Sequence, residues 1–269
     1  MRIKYLQSVC RAVGRLYTAH RLPIAAAGLT YFLTLSFFPL LICLQIMLST
    51  LFPATEELRE MLTLLLPQAS VSTVMEYLRY VTANQSNAMA VVALTVLATS
   101  SSAAFRTISR VIGDMYRRRR YSGFAALVFS FCISLVFLTA IYFALILITT
   151  GKWFLDYVDR YFYYANISDS WRWARFALLG LLLFCMFTAV YRITAPRRAA
   201  VRCLPGALCA TAALLLLSIL FSAIIGASAR YPLIYGSLAS IIALMLWLYF
   251  AGTILFLGAA VNVAMERKV

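Results

Sequence analysis

The spacing of charged residues constrains the fold of this chain more than any other feature. Six stretches of at least 16 residues contain no charge: residues 22–55, 80–105, 121–151, 176–191, 203–229 and 231–265. A helix needs about 20 apolar residues to cross the hydrocarbon core of a bilayer. Five of the stretches are longer than that. The fourth is shorter, but Trp171 and Trp173 can extend it into the membrane interface, where tryptophan is favoured.

The composition agrees with a membrane protein. Apolar residues make up 64% of the chain and charged residues 12%, yet the formal net charge is +15. The charged share is about half that of a soluble domain. The sequence therefore predicts an all-α polytopic membrane protein, with residues 1–269 forming a single six-helix domain. The predicted spans are about 24–52, 86–112, 123–150, 173–194, 204–228 and 235–263.

The positive charges predict the orientation of the six spans. Six crossings put both termini and the loops near residues 113–122 and 192–203 on one side. That side holds 17 lysines and arginines and two acids, whereas the other side holds seven of each. Basic residues concentrate in cytoplasmic loops. We therefore expect a bacterial cytoplasmic (inner) membrane location with the N- and C-termini in the cytoplasm.

Two segments have the pattern of helices that lie on the membrane. In residues 2–20, Ile3, Leu6, Cys10, Val13 and Tyr17 form an apolar stripe opposite basic residues, which predicts an interfacial helix attracted to anionic head groups at the inner face. Residues 55–83 show apolar residues at helical spacing on both sides of a proline. This predicts an outer amphipathic helical hairpin. It either packs over the bundle, which we favour, or forms a lid over a groove open to lipid.

The second predicted span carries a polar stripe that includes Thr99, Ser102, Arg106 and Arg110. Small hydroxyl residues often serve helix packing in membranes. An arginine inside a span usually has a partner or a polar cavity. Arg106 could instead extend to the nearby interface, and Arg110 could pair with Asp114 four residues later. These four residues are the candidate site for a lipid head group, since guanidinium groups suit phosphate.

The sequence offers no set of residues for catalysis or metal binding. His20 is the only histidine, no acid lies within a predicted span, and no nucleophile or phosphate-loop motif occurs. The six cysteines form no CxxC pair. We predict a protein that is not an enzyme, with no cofactor, no metal and no nucleic-acid partner.

Four stretches together resemble the YihY/BrkB family of bacterial inner-membrane proteins. They are AAAGLTYFLTLSFFPLL from Ala25, TSSSAAFRTISRVIGDMY from Thr99, YRITAPRRAAVRCLPGAL from Tyr191 and YGSLASIIALMLWLYFAGTILFLGAAVNVAMER from Tyr235. Ala260 departs from the acid that relatives often have. Eleven residues of these stretches are structural or family-motif candidates: Tyr31, Ser36, Pro39, Pro196, Pro205, Gly206, Tyr235, Gly236, Trp247, Tyr249 and Gly258.

The resemblance implies a role in handling envelope lipids. The family has carried a ribonuclease label, which this sequence does not support because it lacks a cluster of acids or histidines for metal-dependent phosphodiester cleavage. The first hypothesis is a component that binds and translocates or exports phospholipid or lipid-linked glycan without its own energy source. The second is a structural membrane partner that anchors an envelope protein assembly. The third is a small-solute transporter.

Overall fold

The computed structural model of the chain describes residues 2–49, 59, 63, 71–76, 87–117, 128, 167–196, 203–227 and 238–266. In these ranges the regular structure is helical throughout, without strands. The long helices are α1 (Arg2–Ala19), α2 (Leu22–Ser49), α3 (Asn87–Met115), α4 (Ile167–Thr194), α5 (Leu204–Ala227) and α6 (Leu238–Glu266). Residues 71–76 form a further short helical segment.

Four of these helices are long and apolar enough to cross a membrane. Their apolar parts are Leu22–Cys43 in α2, Ala88–Met115 in α3, Leu204–Ile224 in α5 and Ala239–Glu266 in α6. In α4 the apolar part is the shorter Leu179–Thr194, where the sequence has its shortest uncharged stretch. The all-helical membrane class is therefore confirmed. The third predicted span, 123–150, lies almost entirely outside the described residues, so the six-span order stays a prediction.

The helices pack as a bundle in which α2 and α6 are central. Helix α2 packs against α3 and α6, α6 packs also against α5, and α4 packs against α5. Helix α1 packs mainly across α6. Helices α3 and α4 also contact each other.

Most of the buried core lies at one end of the bundle, which we call the core end. It combines the start of α2 (Leu22, Ala26, Leu29) with the start of α5 and the ends of α3, α4 and α6. Ile112 of α3 and Tyr191 of α4 belong to the same cluster. Helices α3 and α4 therefore run in the same direction, as the predicted six-span order requires.

The opposite end of the bundle is covered by the segment 71–76. Val71 and Val74 are buried against Leu41 of α2 and against Leu244 and Leu248 of α6. The hydroxyl of Thr73 donates a hydrogen bond of 2.7 Å to the hydroxyl of Ser240 on α6. This part of the predicted outer hairpin thus packs onto the bundle. Of residues 55–70, only Arg59 and Thr63 are described, and both are helical and exposed.

Helix α1 contacts the bundle through Leu16 and through two residues of the predicted apolar stripe, Val13 and Tyr17. Leu16 is buried in the core, and Val13 and Tyr17 pack beside it. Cys10, which belongs to the predicted stripe, is exposed. Among the described side chains, the packed part of the stripe therefore lies in the second half of α1, from Val13 onwards.

Candidate functional site

Helix α3 has two opposite faces with different surroundings. One face packs into the bundle and carries buried residues at intervals of three and four: Ala93, Leu97, Ser100, Ala104, Ile108, Ile112 and Met115. A helix has 3.6 residues per turn, so Thr95, Thr99, Arg106 and Arg110 lie on the other side. Thr95, Thr99 and Arg110 are exposed there and Arg106 is half-buried. We call these four residues the α3 stripe.

Ser102 differs from the other predicted head-group candidates. Its side chain is only 3% exposed, and it sits at the edge of the α3 stripe next to the buried residues Ala98 and Phe105. The structure therefore brings Thr99, Arg106 and Arg110 to one outward face and leaves Ser102 as a packing residue beside it. Whether these residues bind a head group stays a prediction.

The hydroxyl groups of the α3 stripe donate to their own helix. Thr95 Oγ1 donates to the carbonyl of Val91 at 2.8 Å, and Thr99 Oγ1 donates to the carbonyl of Thr95 at 2.9 Å. An unsatisfied donor in lipid would cost several kcal/mol (order of magnitude). These bonds remove that cost, while the lone pairs of each hydroxyl oxygen can still accept a hydrogen bond.

A second arrangement joins α4, α5 and α6 at the core end, and we call it the three-helix junction. The hydroxyl of Tyr191 donates to the carbonyl of Leu255 at 2.8 Å. The amide oxygen of Asn262 accepts from the backbone N–H of Gly206 at 2.7 Å, and its amide nitrogen donates to the carbonyl of Cys203 at 3.2 Å. Asn262 is 2% exposed, so it satisfies polar groups at the start of α5 that no water reaches.

Two glycines allow the helices of this junction to approach closely. A Cβ placed on Gly258 would lie 2.8 Å from the carbonyl oxygen of Gly206 and 2.9 Å from the Cβ of Ala210, and would also collide with the hydroxyl of Tyr191. A Cβ on Gly206 would collide with the carbonyl of Gly258 and with Asn262. Helices α5 and α6 therefore touch through their backbones at this point.

Burial favours the protonated forms of two side chains at the core end, Cys203 and Tyr116. Burial raises the pKa of the Cys203 thiol to about 11, with Arg192 lowering it and Glu266 raising it. Burial also raises the pKa of Tyr116, and the nearby Cys203 and Glu266 add to that shift. The thiolate is the reactive form of cysteine, so Cys203 acts here as an inert packing group.

Three hydroxyl groups inside the bundle lack a hydrogen-bond partner within the described part of the chain. They belong to Thr34, Thr188 and Thr211. By contrast, Thr30 and Thr194 donate to the carbonyls of Ala26 and Val190 at 2.8 and 2.7 Å. The three unpartnered hydroxyls are on three different helices. Each carries a desolvation cost that the hydrogen-bonded hydroxyls of Thr30 and Thr194 avoid.

The family-motif candidates fall into several environments. Gly206 and Gly258 form the three-helix junction, Trp247 and Tyr249 pack beside the core, and Ser36 is buried and donates to the carbonyl of Leu33 at 2.9 Å. Tyr31 is exposed, Pro39 lies inside α2, Pro196 follows α4, and Pro205 is in the first turn of α5. Tyr235 and Gly236 lie outside the described residues.

Sequence reasoning missed the partners of the junction. Asn262 and Tyr191 lie within two of the family-motif stretches, but neither is among the predicted site residues. A lone amide near the end of an apolar helix is a usable signal, because a buried amide needs several hydrogen bonds. Within the described residues, no group of three or more His, Cys, Asp or Glu side chains is placed to hold a metal ion.

Comparison with known proteins identifies one family. The family model described as virulence factor BrkB matches residues 13–269. The chain is also 26% identical over 258 residues to the "Putative ribonuclease-like protein YfkH" of Bacillus subtilis (strain 168), covering 94% of this chain and 93% of that protein. No solved structure matches the chain.

Proposed function

Because this chain belongs to the virulence factor BrkB family of membrane proteins, we propose that it handles lipids of the bacterial envelope. In this proposal it binds phospholipid or lipid-linked glycan through the α3 stripe and lets the head group cross or leave the inner membrane. It has no energy source of its own, so the lipid moves down its own gradient.

The single observation that carries the proposal is the outward position of the α3 stripe. From Thr95 to Arg110 the stripe extends about 22 Å along the helix axis, at about 1.5 Å per residue. The hydrocarbon core is about 30 Å thick. A head group following the stripe would therefore meet polar side chains over roughly three quarters of that distance, while its acyl chains stay in the surrounding lipid.

The chemistry of the stripe suits a phosphate group. Arg106 and Arg110 are one turn apart and present planar guanidinium groups, which bind phosphate bidentately. Thr95 and Thr99 provide hydroxyl oxygens along the remaining path. The carboxylate next to the stripe is that of Asp114, one turn beyond Arg110, whereas Arg106 is two turns from it.

A non-catalytic role fits this chain better than the ribonuclease-like name of its relative. Metal-assisted phosphodiester cleavage needs carboxylates or histidines gathered around the ion. In the predicted topology the basic side carries only Asp114 and Glu266 as acids. The basic groups that could bind a phosphate are therefore not accompanied by groups that could cleave one.

The location proposed for the protein is the bacterial cytoplasmic membrane with both termini in the cytoplasm. The +15 net charge falls entirely on the side that holds the termini in the six-span order. Single cysteines at positions 118 and 159, in a cysteine-free background, test this order with an impermeant maleimide in intact cells. Labelling of 159 alone supports it, and labelling of both positions from outside contradicts it.

The lipid proposal is tested with the purified protein in liposomes that carry fluorescent lipids. We expect scrambling above the rate of empty liposomes. Arg106→Lys keeps the charge but loses the bidentate geometry, so it should reduce scrambling, and Arg106→Ala should reduce it at least as much. Arg59→Lys, at an exposed arginine outside the stripe, is the matched control. Full activity of Arg106→Lys would remove this residue from the site.

The same exposed stripe also supports a second function, a structural membrane partner. A polar face exposed on the outside of a bundle can be covered by a helix of another protein, with hydroxyl groups bonding across the contact. In that case liposomes would show no scrambling, and an envelope protein would co-purify and be lost on Thr99→Leu. Scrambling by the protein alone favours the first function.

A further inference from the structure

Helix α1 has a basic face that the bundle leaves uncovered. Val13, Leu16 and Tyr17 pack towards the core, whereas Arg11 and Arg15 are exposed. At 3.6 residues per turn each of the two arginines lies about 160° around the helix from Val13, the middle residue of the packed face. The contact with the bundle therefore fixes the rotation of α1 about its axis and directs these arginines away from the protein core.

The charge on this part of the chain is entirely positive. Helix α1 contains two further cations, Arg2 and Lys4, and Arg21 follows it. Residues 1–55 contain no aspartate or glutamate. Neighbouring side chains of α1 therefore cannot neutralise its basic face, and an anionic partner must come from outside this segment.

The position of α1 places that partner at the membrane surface. Only His20 and Arg21 separate α1 from α2, and Arg21 has a left-handed backbone with φ 48°. The carbonyl of Arg21 accepts hydrogen bonds from the N–H groups of Ile24 and Ala25 at 3.0 and 3.2 Å, which starts α2 directly. The apolar membrane-crossing part of α2 begins at Leu22. Helix α1 therefore ends at the level where the chain enters the hydrocarbon.

The exposure of Cys10 is a second indication that α1 lies at the membrane surface. Cys10 is exposed although it belongs to the apolar stripe of the helix. An amphipathic helix at the interface lies with its apolar edge towards the acyl chains and its basic face among head groups. Around Cys10, about two turns before the packed Tyr17, helix α1 has both an apolar and a basic side chain exposed outside the bundle.

From these observations we propose that the exposed face of α1 around Arg11 and Arg15 is a binding surface for anionic lipid head groups. The binding partner is the adjacent membrane leaflet. The positive charge of α1 and its short connection to α2 both point to this partner. The α1 surface is separate from the α3 stripe, and the proposal does not depend on lipid translocation. A basic residue near an anionic leaflet contributes about 1 kcal/mol to the attraction between protein and lipid. This corresponds to about a fivefold change in the local concentration of anionic lipid for each charge.

The test uses the full chain with Cys10 as its only cysteine, labelled with a fluorophore and placed in phosphatidylcholine vesicles. Spin-labelled phosphatidylglycerol or spin-labelled phosphatidylcholine is added at equal mole fraction, and quenching of the fluorophore reports which lipid gathers beside α1. We expect stronger quenching by the anionic lipid, and loss of this preference at high salt, because salt screens exposed charges.

Two double variants decide whether the arginine charges are responsible. Arg11→Gln with Arg15→Gln should lower the preference about fivefold for each charge removed. Arg11→Lys with Arg15→Lys should retain it, because a leaflet is recognised here by charge. Arg59→Gln, which removes one charge elsewhere, should leave it unchanged. Equal quenching by the two lipids, or a preference that survives the glutamine pair, overturns the proposal. Scrambling activity measured on the same samples reports separately on the α3 stripe.

Discussion

Replacement of Gly258 by alanine tests the packing of the three-helix junction directly. The new methyl group would lie 2.8 Å from the carbonyl oxygen of Gly206 and 2.9 Å from the Cβ of Ala210, and would overlap the hydroxyl of Tyr191. The first two atoms belong to a helix backbone and to a Cβ, which cannot rotate away. Relief therefore requires α5 and α6 to separate.

The expected cost can be estimated from three terms. Overpacking a close contact costs about 1–3 kcal/mol. Loss of the bond from the Tyr191 hydroxyl to the Leu255 carbonyl costs about 0.5–1.5 kcal/mol more. The higher helix propensity of alanine offsets up to about 1 kcal/mol. With the full offset, we expect Gly258→Ala to lower the free energy of unfolding by about 0.5–3.5 kcal/mol, the sum of these terms.

The assay is unfolding of the purified protein in mixed micelles, with helicity followed by circular dichroism. Gly28→Ala and Gly180→Ala are matched controls, since a Cβ on Gly28 meets nothing within 4 Å and one on Gly180 meets only Leu215 at 3.8 Å. Both controls should be neutral or slightly stabilising. If Gly258→Ala is as stable as these controls, the close approach of α5 and α6 is refuted.

A double variant identifies the contribution of Tyr191. In a Tyr191→Phe background the hydroxyl that overlaps the new methyl group is gone, so the two substitutions should cost less together than the sum of their separate costs. The contacts with Gly206 and Ala210 remain, so a residual cost of Gly258→Ala should persist. Strict additivity would mean that the hydroxyl does not contribute to the clash.

Three further predictions concern other parts of the molecule. Val74→Glu buries a charge against α2 and α6 and should destabilise the protein or impair its function. Ser72→Glu adds the same charge on the exposed side of the segment and serves as the control. Equal stability of the two variants in a thermal unfolding assay contradicts the packing of residues 71–76 on the bundle. Thr211→Val removes an unpartnered buried hydroxyl and should raise the free energy of unfolding by about 1 kcal/mol. Thr194→Val removes a hydroxyl that is hydrogen-bonded and should not raise it. A loss of stability in Thr211→Val would mean that its hydroxyl has a partner. The raised pKa of Cys203 stabilises the fold fully below the usual thiol pKa of 9.0, and this contribution falls as the pH rises from about 9 to about 11. Cys203→Ala should therefore flatten the stability curve in that range.

The membrane-spanning helices could be predicted from the sequence because lipid imposes a one-dimensional rule. A charge within the hydrocarbon is costly, so the distance between consecutive charges reports the helix length. Windows beginning after Arg21 and Arg202 gave α2 and α5 in this way, and the shorter window before Arg192 gave the shorter apolar part of α4. None of these predictions required knowing which helices are neighbours.

The three-helix junction could not be predicted, because it depends on contacts between residues distant along the chain. Gly206 and Asn262 are 56 residues apart, and Tyr191 and Leu255 are 64 apart. Each residue alone is compatible with ordinary packing or with the membrane interface. They form one arrangement of donors, acceptors and close backbone contacts only because α4, α5 and α6 pack together.

The α3 stripe shows what a helical pattern in the sequence can predict and what it cannot. The sequence placed Thr99, Ser102 and Arg106 on one side of the helix, but it could not say whether that side meets protein or lipid. The structure separates them, since Ser102 is buried while Thr99 is exposed. The difference arises because Ser102 lies at the edge of the stripe, beside the packed positions of Ala98 and Phe105.

The direction of α3 also bears on the two explanations that the sequence left open for Arg106. The Cα–Cβ bonds of a helix tilt towards its N-terminus, and the C-terminus of α3 is at the core end, where Met115 joins the main cluster. The side chain of Arg106 therefore leaves the backbone in the direction away from the core end. Arg106 is nine residues before Met115, or about 13 Å along the axis at about 1.5 Å per residue. To reach the interface at the core end, the side chain would have to turn back against its own Cα–Cβ bond. A phosphate group held within the outward face requires no such reversal, so the direction of α3 is compatible with the proposed head-group site.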